Sequence, residues 1–167
     1  MLNRGVTLQN FTIKDLLRQA IIASLYVVLV LIFHFVSFDA IQFRVAELLL
    51  ILVFFDKKSV VGLTIGVVIS NLFSPIMLYD IAFGTLATTI TLLLMLLLRK
   101  WPYIALLIPS IINGPVIGLM LYIATGAPFL LTTLQVFIGE FVVTYIFGLP
   151  IYYLLKRLNF ENIYFGE

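Results

Sequence analysis

The run Ile90-Thr91-Leu92-Leu93-Leu94-Met95-Leu96-Leu97-Leu98, which ends directly at Arg99-Lys100, decides the fold class. It shows no alternation of polar and apolar residues, which argues against a transmembrane β-strand. Extended back to residue 78, the apolar stretch reaches the length of about 20 residues that a helix needs to cross a hydrocarbon layer of ~30 Å. The stretch therefore predicts a transmembrane helix at 78–98.

The whole chain has the composition of an integral membrane protein. Of its 167 residues, 63% are hydrophobic and 11% are charged, and the mean hydropathy is +1.19. Soluble domains usually have about 45–50% apolar and roughly 25% charged residues, so one small soluble core has no room for this apolar excess. The sequence has no cysteine and one histidine, which excludes a disulfide scaffold, thiolate chemistry and a multi-histidine metal centre.

Five further apolar stretches complete a predicted all-α membrane protein, a bundle of six transmembrane helices in a single domain covering residues 1–167. The second and third helices are short, at about 24 Å each for a rise of ~1.5 Å per residue. No internal repeat and no long linker divides the chain. The predicted helices are 15–38, 41–56, 59–74, 78–98, 102–124 and 132–156.

Lysine and arginine are distributed asymmetrically along the chain. Every Lys and Arg except Arg44 lies on one side of the predicted bundle, and the loops 37–40, 74–77 and 125–131 on the other side contain neither residue type. By the positive-inside rule we expect both termini in the cytoplasm. The net charge of +2 thus conceals a basic cytoplasmic side and an acidic outer side.

Ionisable and amide side chains lie within the predicted helices, where they are costly unless they are paired or hydrated. Glu140 is flanked by apolar residues, and Thr133, Phe137 and Thr144 share its helix face by 3.6-residue spacing. All the embedded polar groups fall in the outer half of the bundle or near its middle, which indicates one outward-facing site. The candidate substrate-binding residues are Arg44, Glu47, Asn71, Asp80, Asn113, Gln135, Phe137 and Glu140.

Structural roles are also open for several of these residues. Arg44 and Glu47 have the i, i+3 spacing of a pair on one helix face. Asp80 has the position of an N-cap or a first-turn acid, and Asn71 can satisfy backbone groups near a turn. Pro115 is expected to disrupt the fifth helix and to free a backbone carbonyl.

Small residues on the first and third helices favour close helix contacts. Gly62 and Gly66 form a small-xxx-small pair, for which packing is the expected role. Ala20 and Ser24 form a second small ridge, with Ala23 beside them. That ridge can receive either an internal neighbour or another protein, so Ala20, Ala23 and Ser24 are candidate docking residues.

Acids and amides with aromatic neighbours favour a small, planar, nitrogen-rich or cationic ligand. A carboxylate accepts two parallel N–H bonds or pairs with an ammonium group. An intramembrane enzyme that uses Glu140, Asp80 or His34 in acid–base chemistry is a competing interpretation. The sequence argues against an enzyme, because it contains no serine nucleophile motif, no paired-aspartate signature and no cluster of metal ligands. A small channel or scaffolding protein is the remaining class.

Several segments resemble a known family. The stretch Ala20-Ile21-Ile22-Ala23-Ser24-Leu25-Tyr26-Val27-Val28-Leu29 looks like an S-component, the substrate-capturing membrane subunit of an energy-coupling factor (ECF) importer, although Ser24 replaces the usual second alanine. Within that group, residues 41–47 (Ile-Gln-Phe-Arg-Val-Ala-Glu), 62–72 and 80–88 (Asp-Ile-Ala-Phe-Gly-Thr-Leu-Ala-Thr) are similar to the QueT family. The resemblance covers nearly the whole chain.

The resemblance implies uptake of a queuosine precursor, chiefly 7-aminomethyl-7-deazaguanine (preQ1), with preQ0, queuine or another vitamin or nucleobase as alternatives. It implies docking on a scaffold transmembrane subunit that carries two ATPase subunits, and a toppling motion in the bacterial plasma membrane. ATP is expected to serve those partners, since the chain has no GxxxxGK[ST] loop. No cofactor in this chain and no nucleic-acid partner are expected.

For such a ligand, we expect Glu140 and either Asp80 or Glu47 to divide the ring N–H edge and the aminomethyl cation. Asn113 and Gln135 are expected to bind the carbonyl or pyrrole edges, and Phe137 to cover the ring face. Which acid binds which group stays open.

Overall fold

A computed structural model describes residues 11–38 and 42–165 of the chain. This part of the chain is all-helical, with eight helices and no strand. The helices are α1 Ile13–Ile32, α2 His34–Ser37, α3 Val45–Phe55, α4 Ser59–Asn71, α5 Met77–Leu98, α6 Pro102–Thr125, α7 Phe129–Arg157 and α8 Phe160–Phe165.

Four helices, α1, α5, α6 and α7, are long and apolar enough to cross a membrane. Large apolar side chains on their outer faces are exposed, as in Ile13, Leu97 and Leu130. This arrangement confirms an all-α protein with several apolar membrane helices. The helices α3 and α4 are apolar but shorter.

The boundaries of the first three predicted helices differ from the structure. The helix predicted at 15–38 is split at Phe33 into α1 and α2, and the helix predicted at 59–74 ends at Asn71. In the helix predicted at 41–56, the segment Val45–Ile51 is a 3₁₀-helix and only Leu52–Phe55 is α-helical, while residue 41 lies outside the described residues. A 3₁₀-helix rises ~2.0 Å per residue, so it extends this short element.

Glycines allow two close helix contacts. A Cβ on Gly62 would lie 2.6 Å from the backbone oxygen of Gln19, and one on Gly66 would lie 2.8 Å from Cβ of Tyr26. These contacts join α4 to α1 and confirm the packing role that was predicted for the Gly62–Gly66 pair. The same device joins α6 to α7, where a Cβ on Gly114 would lie 3.2 Å from Cβ of Phe137.

The expected disruption of the fifth helix at Pro115 is wrong, because Ile108–Thr125 continues through the proline. Tight packing against α7 supports the helix across the missing hydrogen bond, as membrane bundles commonly allow. The main apolar core is built around Tyr26, Leu50, Leu63 and Met95. A smaller core forms around Met120.

Candidate functional site

Six polar residues from five parts of the chain are buried together, and we call them the acceptor cluster. Each is at most 4% exposed to solvent. The guanidinium of Arg44 interacts electrostatically with the carboxyl groups of Glu47, Asp80 and Glu140, so the three acids share one cation. The acceptor cluster consists of Arg44, Glu47, Asn71, Asp80, Asn113 and Glu140.

Each of the three carboxyl groups accepts a hydrogen bond at one oxygen from a neutral protein donor. The hydroxyl of Tyr26 donates to Oε1 of Glu47 at 2.7 Å, and Nδ2 of Asn113 donates to Oε1 of Glu140 at 3.0 Å. The hydroxyl of Ser74 donates to Oδ2 of Asp80. In each acid the second oxygen is buried and has no hydrogen-bond partner in the described part of the chain.

Two amide oxygens add to this surplus of acceptors. Oδ1 of Asn71 and Oδ1 of Asn113 are also buried without a partner in the residues that the structure covers. Buried polar atoms are almost always hydrogen-bonded, so five unpartnered acceptors in one place require an explanation. The arrangement suits a ligand that brings N–H donors or a positive charge.

Arg44 supplies the cluster with a cation. Its guanidinium carbon lies 5.4 Å from the centroid of the Phe38 ring, and its Nε and Nη2 atoms are buried without partners in this part of the structure. None of the ion pairs within residues 11–38 and 42–165 joins Arg44 to Glu47. The predicted i, i+3 pair on one helix face is therefore wrong, because Arg44 precedes the 3₁₀-helix in a non-helical conformation and Glu47 accepts from Tyr26 instead.

Non-α helical geometry accompanies all three acids. Glu47 lies in the 3₁₀-helix Val45–Ile51. Asp80 begins the π-helical turn Asp80–Gly84, and Glu140 directly precedes the π-helical turn Phe141–Phe147. Such turns inside longer helices occur frequently at functional sites, because they re-aim side chains that a regular α-helix would direct elsewhere.

The loop between α4 and α5 is held by Asn71. Its Nδ2 donates to the backbone oxygen of Asp80 at 2.8 Å, which confirms that Asn71 satisfies backbone groups near a turn. The N-cap role considered for Asp80 is wrong, because α5 begins at Met77 and the Asp80 side chain makes no cap hydrogen bond.

Gln135 does not join the acceptor cluster. It is half-buried and lies five residues before Glu140, which places it about 140° around a regular helix from that carboxylate. Phe137 is half-buried and stacks on Phe141, with ring centroids 6.1 Å apart and an interplanar angle of 8°. The hydroxyl of Thr144 donates to the backbone oxygens of Glu140 and Leu106, so it serves the fold.

Two residues of the site were missed by the sequence analysis, Tyr26 and Ser74. Both are neutral side chains that donate to an acid of the cluster. A tyrosine in the middle of an apolar helix, away from the interfacial positions where tyrosine is common, is the signal that could have identified Tyr26.

The acceptor cluster is closed to solvent. Two cavities, of about 310 Å³ and 500 Å³, lie elsewhere, near Lys156 and the loop between α5 and α6. Within residues 11–38 and 42–165 no group of three or more metal-ligating side chains could hold a metal ion.

The small-residue ridge of α1 is only partly a surface. Ala20 and Ser24 are exposed, and the hydroxyl of Ser24 donates to the backbone oxygen of Ala20 at 2.8 Å, which leaves a smooth apolar face. Ala23 is 6% exposed and packs against Gly66, so its predicted docking role is wrong.

Comparison with known proteins gives a consistent result. A family model described as the QueT transporter matches residues 16–157. The queuosine precursor transporter QueT of Lactococcus lactis subsp. cremoris is 32% identical over 165 residues, which cover 89% of this chain and 96% of that protein. No solved structure matches the chain.

Proposed function

The chain belongs to the QueT transporter family, and from this membership we propose that it is the substrate-binding S-component of an ECF importer for a preQ1-like 7-deazaguanine. Because the family consists of membrane transporters, the chain is not an enzyme, and the alternative of an intramembrane enzyme is wrong. The related lactococcal protein is named for transport of queuosine precursors, which supports the same class of ligand here.

The surplus of buried acceptors is the observation that carries this proposal. Among the residues that the structure describes, five acceptor atoms of the acceptor cluster lack partners, and the cluster's unpartnered cationic donors belong to Arg44. Three carboxyl groups against one guanidinium also leave the cluster with an excess of formal negative charge. A ligand that supplies several N–H donors and one positive charge would satisfy both deficits.

A 7-aminomethyl-7-deazaguanine has these properties. Its ring N–H and exocyclic amine form one donor edge, and its aminomethyl group is cationic near neutral pH. Its ring carbonyl and fused-ring faces suit the donors of Arg44 and a neighbouring aromatic side chain. The ligand and the acceptor cluster are therefore complementary in donors, acceptors and charge.

The proposal includes six membrane spans in one domain, with α3 and α4 as the two short ones, and both termini in the cytoplasm. The clustering of Lys and Arg at the ends of α1, α3, α5 and α7 supports this orientation. The acceptor cluster then faces the outer half of the membrane, where a substrate would be captured.

Energy would come from partner subunits. The exposed ridge of Ala20 and Ser24 is flat enough for a helix of a scaffold subunit to approach closely, and that subunit would carry two ATPases. Toppling of the docked S-component would carry the acceptor cluster from the outer to the inner side. No cofactor is assigned to this chain.

Calorimetry on the purified full chain in detergent tests the ligand. We expect saturable, submicromolar binding of preQ1 that guanine, thiamine and riboflavin do not match. Tighter binding of thiamine or riboflavin would indicate that the chain transports that compound instead. If none of these compounds binds saturably, a channel or scaffold is favoured.

Co-expression with scaffold and ATPase subunits tests docking separately. Ser24→Leu should abolish ATP-dependent uptake and leave preQ1 affinity unchanged, because the bulkier side chain holds the partner helix away. Leu25→Phe, which enlarges an exposed side chain about 100° around the same helix from Ser24, is the matched control and should transport normally. Full uptake by Ser24→Leu would show that this ridge is not the docking surface for the scaffold subunit.

A further inference from the structure

The side-chain amide of Asn113 is oriented by its neighbour Glu140. Its Nδ2 donates to Oε1 of Glu140 at 3.0 Å. The amide oxygen consequently points away from this bond. Both residues are at most 3% exposed, so neither can turn out to water.

This orientation leaves two free acceptors on bonded neighbours. Oδ1 of Asn113 and Oε2 of Glu140 are buried, and neither has a partner among the residues described. The Cβ position of Gly114 is closed by Phe137 and the backbone of Thr133, which fixes α6 against α7 next to this pair. The two oxygens are thus held on a rigid part of the bundle.

We infer that Oδ1 of Asn113 and Oε2 of Glu140 form a composite acceptor pair, which binds two adjacent N–H groups on one edge of the ligand ring. The inference rests on the proposed function and deepens it. It assigns the ring N–H and the exocyclic amine of a 2-amino-4-oxopyrimidine ring to this pair. It also replaces two expectations, that one carboxylate binds this edge alone and that Asn113 binds a carbonyl.

Specificity for the exocyclic amine follows from the inference. A ring that lacks the amine leaves one of the two buried oxygens without a donor, and sites built around hydrogen bonds discriminate strongly against such analogues. The aminomethyl cation is then left to the free oxygens of Glu47 and Asp80, which belong to the same cluster. Ring edge and cation are thereby bound by different acids.

The test compares 7-aminomethyl-7-deazaguanine with 7-aminomethyl-7-deazahypoxanthine, which lacks only the amine, by calorimetry on the full chain. The wild-type chain should bind the first about 100-fold or more tightly than the second. Equal submicromolar affinities would overturn the acceptor pair and leave the proposed function standing. Failure to bind either compound would overturn both. This comparison needs no variant.

Two variants locate the specificity. Asn113→Leu, which is close in size, should weaken binding of the deazaguanine at least tenfold and reduce the discrimination to a few-fold. Thr144→Val is the matched control, because Thr144 is buried one turn after Glu140 and its hydroxyl is already bonded to backbone oxygens. It should keep both affinities. Undiminished discrimination by folded Asn113→Leu would overturn the assignment.

Discussion

This molecule buries two groups of carboxylates to a similar extent, but the two groups differ in whether their oxygens have hydrogen-bond partners. One is the acceptor cluster. The other, which we call the basal cluster, joins the start of α1 to the loop between α3 and α4 and to α8, and its acids Asp15 and Asp56 are 7% and 6% exposed. The basal cluster consists of Asp15, Arg18, Gln19, Asp56, Lys58 and Tyr164.

In the basal cluster every carboxylate oxygen has a partner. Oδ2 of Asp15 accepts from Nζ of Lys58 at 2.6 Å and from the backbone nitrogen of Thr12, and Oδ1 of Asp15 pairs with Arg18 at 3.5 Å. Oδ1 of Asp56 accepts from the backbone nitrogen of Lys58, and its Oδ2 accepts from Gln19 and Tyr164.

The comparison contrasts polar groups that hold the fold with polar groups that, on the proposed function, bind a ligand. A fully satisfied network stabilises and orders the elements that it joins, whereas an unpartnered buried group is destabilising. We therefore expect the acceptor cluster to lower the stability of the empty protein and the proposed ligand to complete it. Substitutions in the acceptor cluster should therefore change ligand affinity, and substitutions in the basal cluster should change stability.

The largest expected effect is on ligand affinity in the acceptor cluster. Glu140→Gln replaces the free Oε2 by an N–H donor and removes the charge, so the ligand's donor edge meets a donor. We expect preQ1 affinity to fall roughly 30-fold to several-thousand-fold, which corresponds to about 2–5 kcal/mol. Calorimetry on the folded variant measures the change.

Thermal unfolding of the same Glu140→Gln sample measures stability, which we expect the substitution not to lower although it lowers ligand affinity. The substitution removes an incompletely satisfied buried carboxylate, so the unliganded variant should unfold at the same or a higher temperature than the wild type. A variant that loses stability and keeps its affinity would place Glu140 with the structural acids and would erase the distinction between the clusters.

A smaller effect, on stability alone, is expected in the basal cluster. Asp56→Asn places an amide N–H among groups that already donate, namely Gln19, Tyr164 and the backbone of Lys58. Losing one of these bonds in a buried position should lower the free energy of unfolding by about 1–3 kcal/mol. Denaturation in detergent measures the loss, and preQ1 affinity should stay within threefold of the wild-type value.

Much of this contrast could be anticipated from the sequence. Glu140, Glu47, Asp80 and Asn113 stand out because charged and amide groups are rare in apolar stretches, and the structure buries all four together. The long helices α5, α6 and α7 could be predicted because each apolar stretch is long enough to cross a membrane and contains few polar residues.

Other features depend on contacts that the sequence does not display. The π-helical turns at Asp80–Gly84 and Phe141–Phe147 arise from packing between helices, and nothing in local propensity marks them. The helix face on which Gln135 lies could not be predicted, because lipid-facing and core-facing residues are both apolar in a membrane helix. Ser74 was missed because a single hydroxyl near a loop carries little cost.

The smallest effect concerns Tyr164 at the edge of the basal cluster. Its hydroxyl donates to Oδ2 of Asp56 at 3.0 Å, and partial burial together with the neighbouring carboxylate raises the pKa of Tyr164 above its ordinary value near 10. Tyr164→Phe removes this hydrogen bond and should lower the free energy of unfolding by about 0.5–1.5 kcal/mol at neutral pH. The loss is measured by denaturation in detergent, with preQ1 affinity unchanged.

The pH dependence of that loss distinguishes a hydrogen bond from simple packing. Because the folded-state pKa is raised, the contribution of Tyr164 is fully present below the unfolded pKa near 10 and declines as the pH rises from there toward the folded-state pKa. The difference in unfolding free energy between the wild type and Tyr164→Phe should be constant from pH 7 to 9 and should shrink above pH 10. Because phenylalanine keeps the ring, a difference near zero from pH 7 to pH 11 would mean that Tyr164 stabilises α8 by packing alone, and it would remove Tyr164 from the satisfied network.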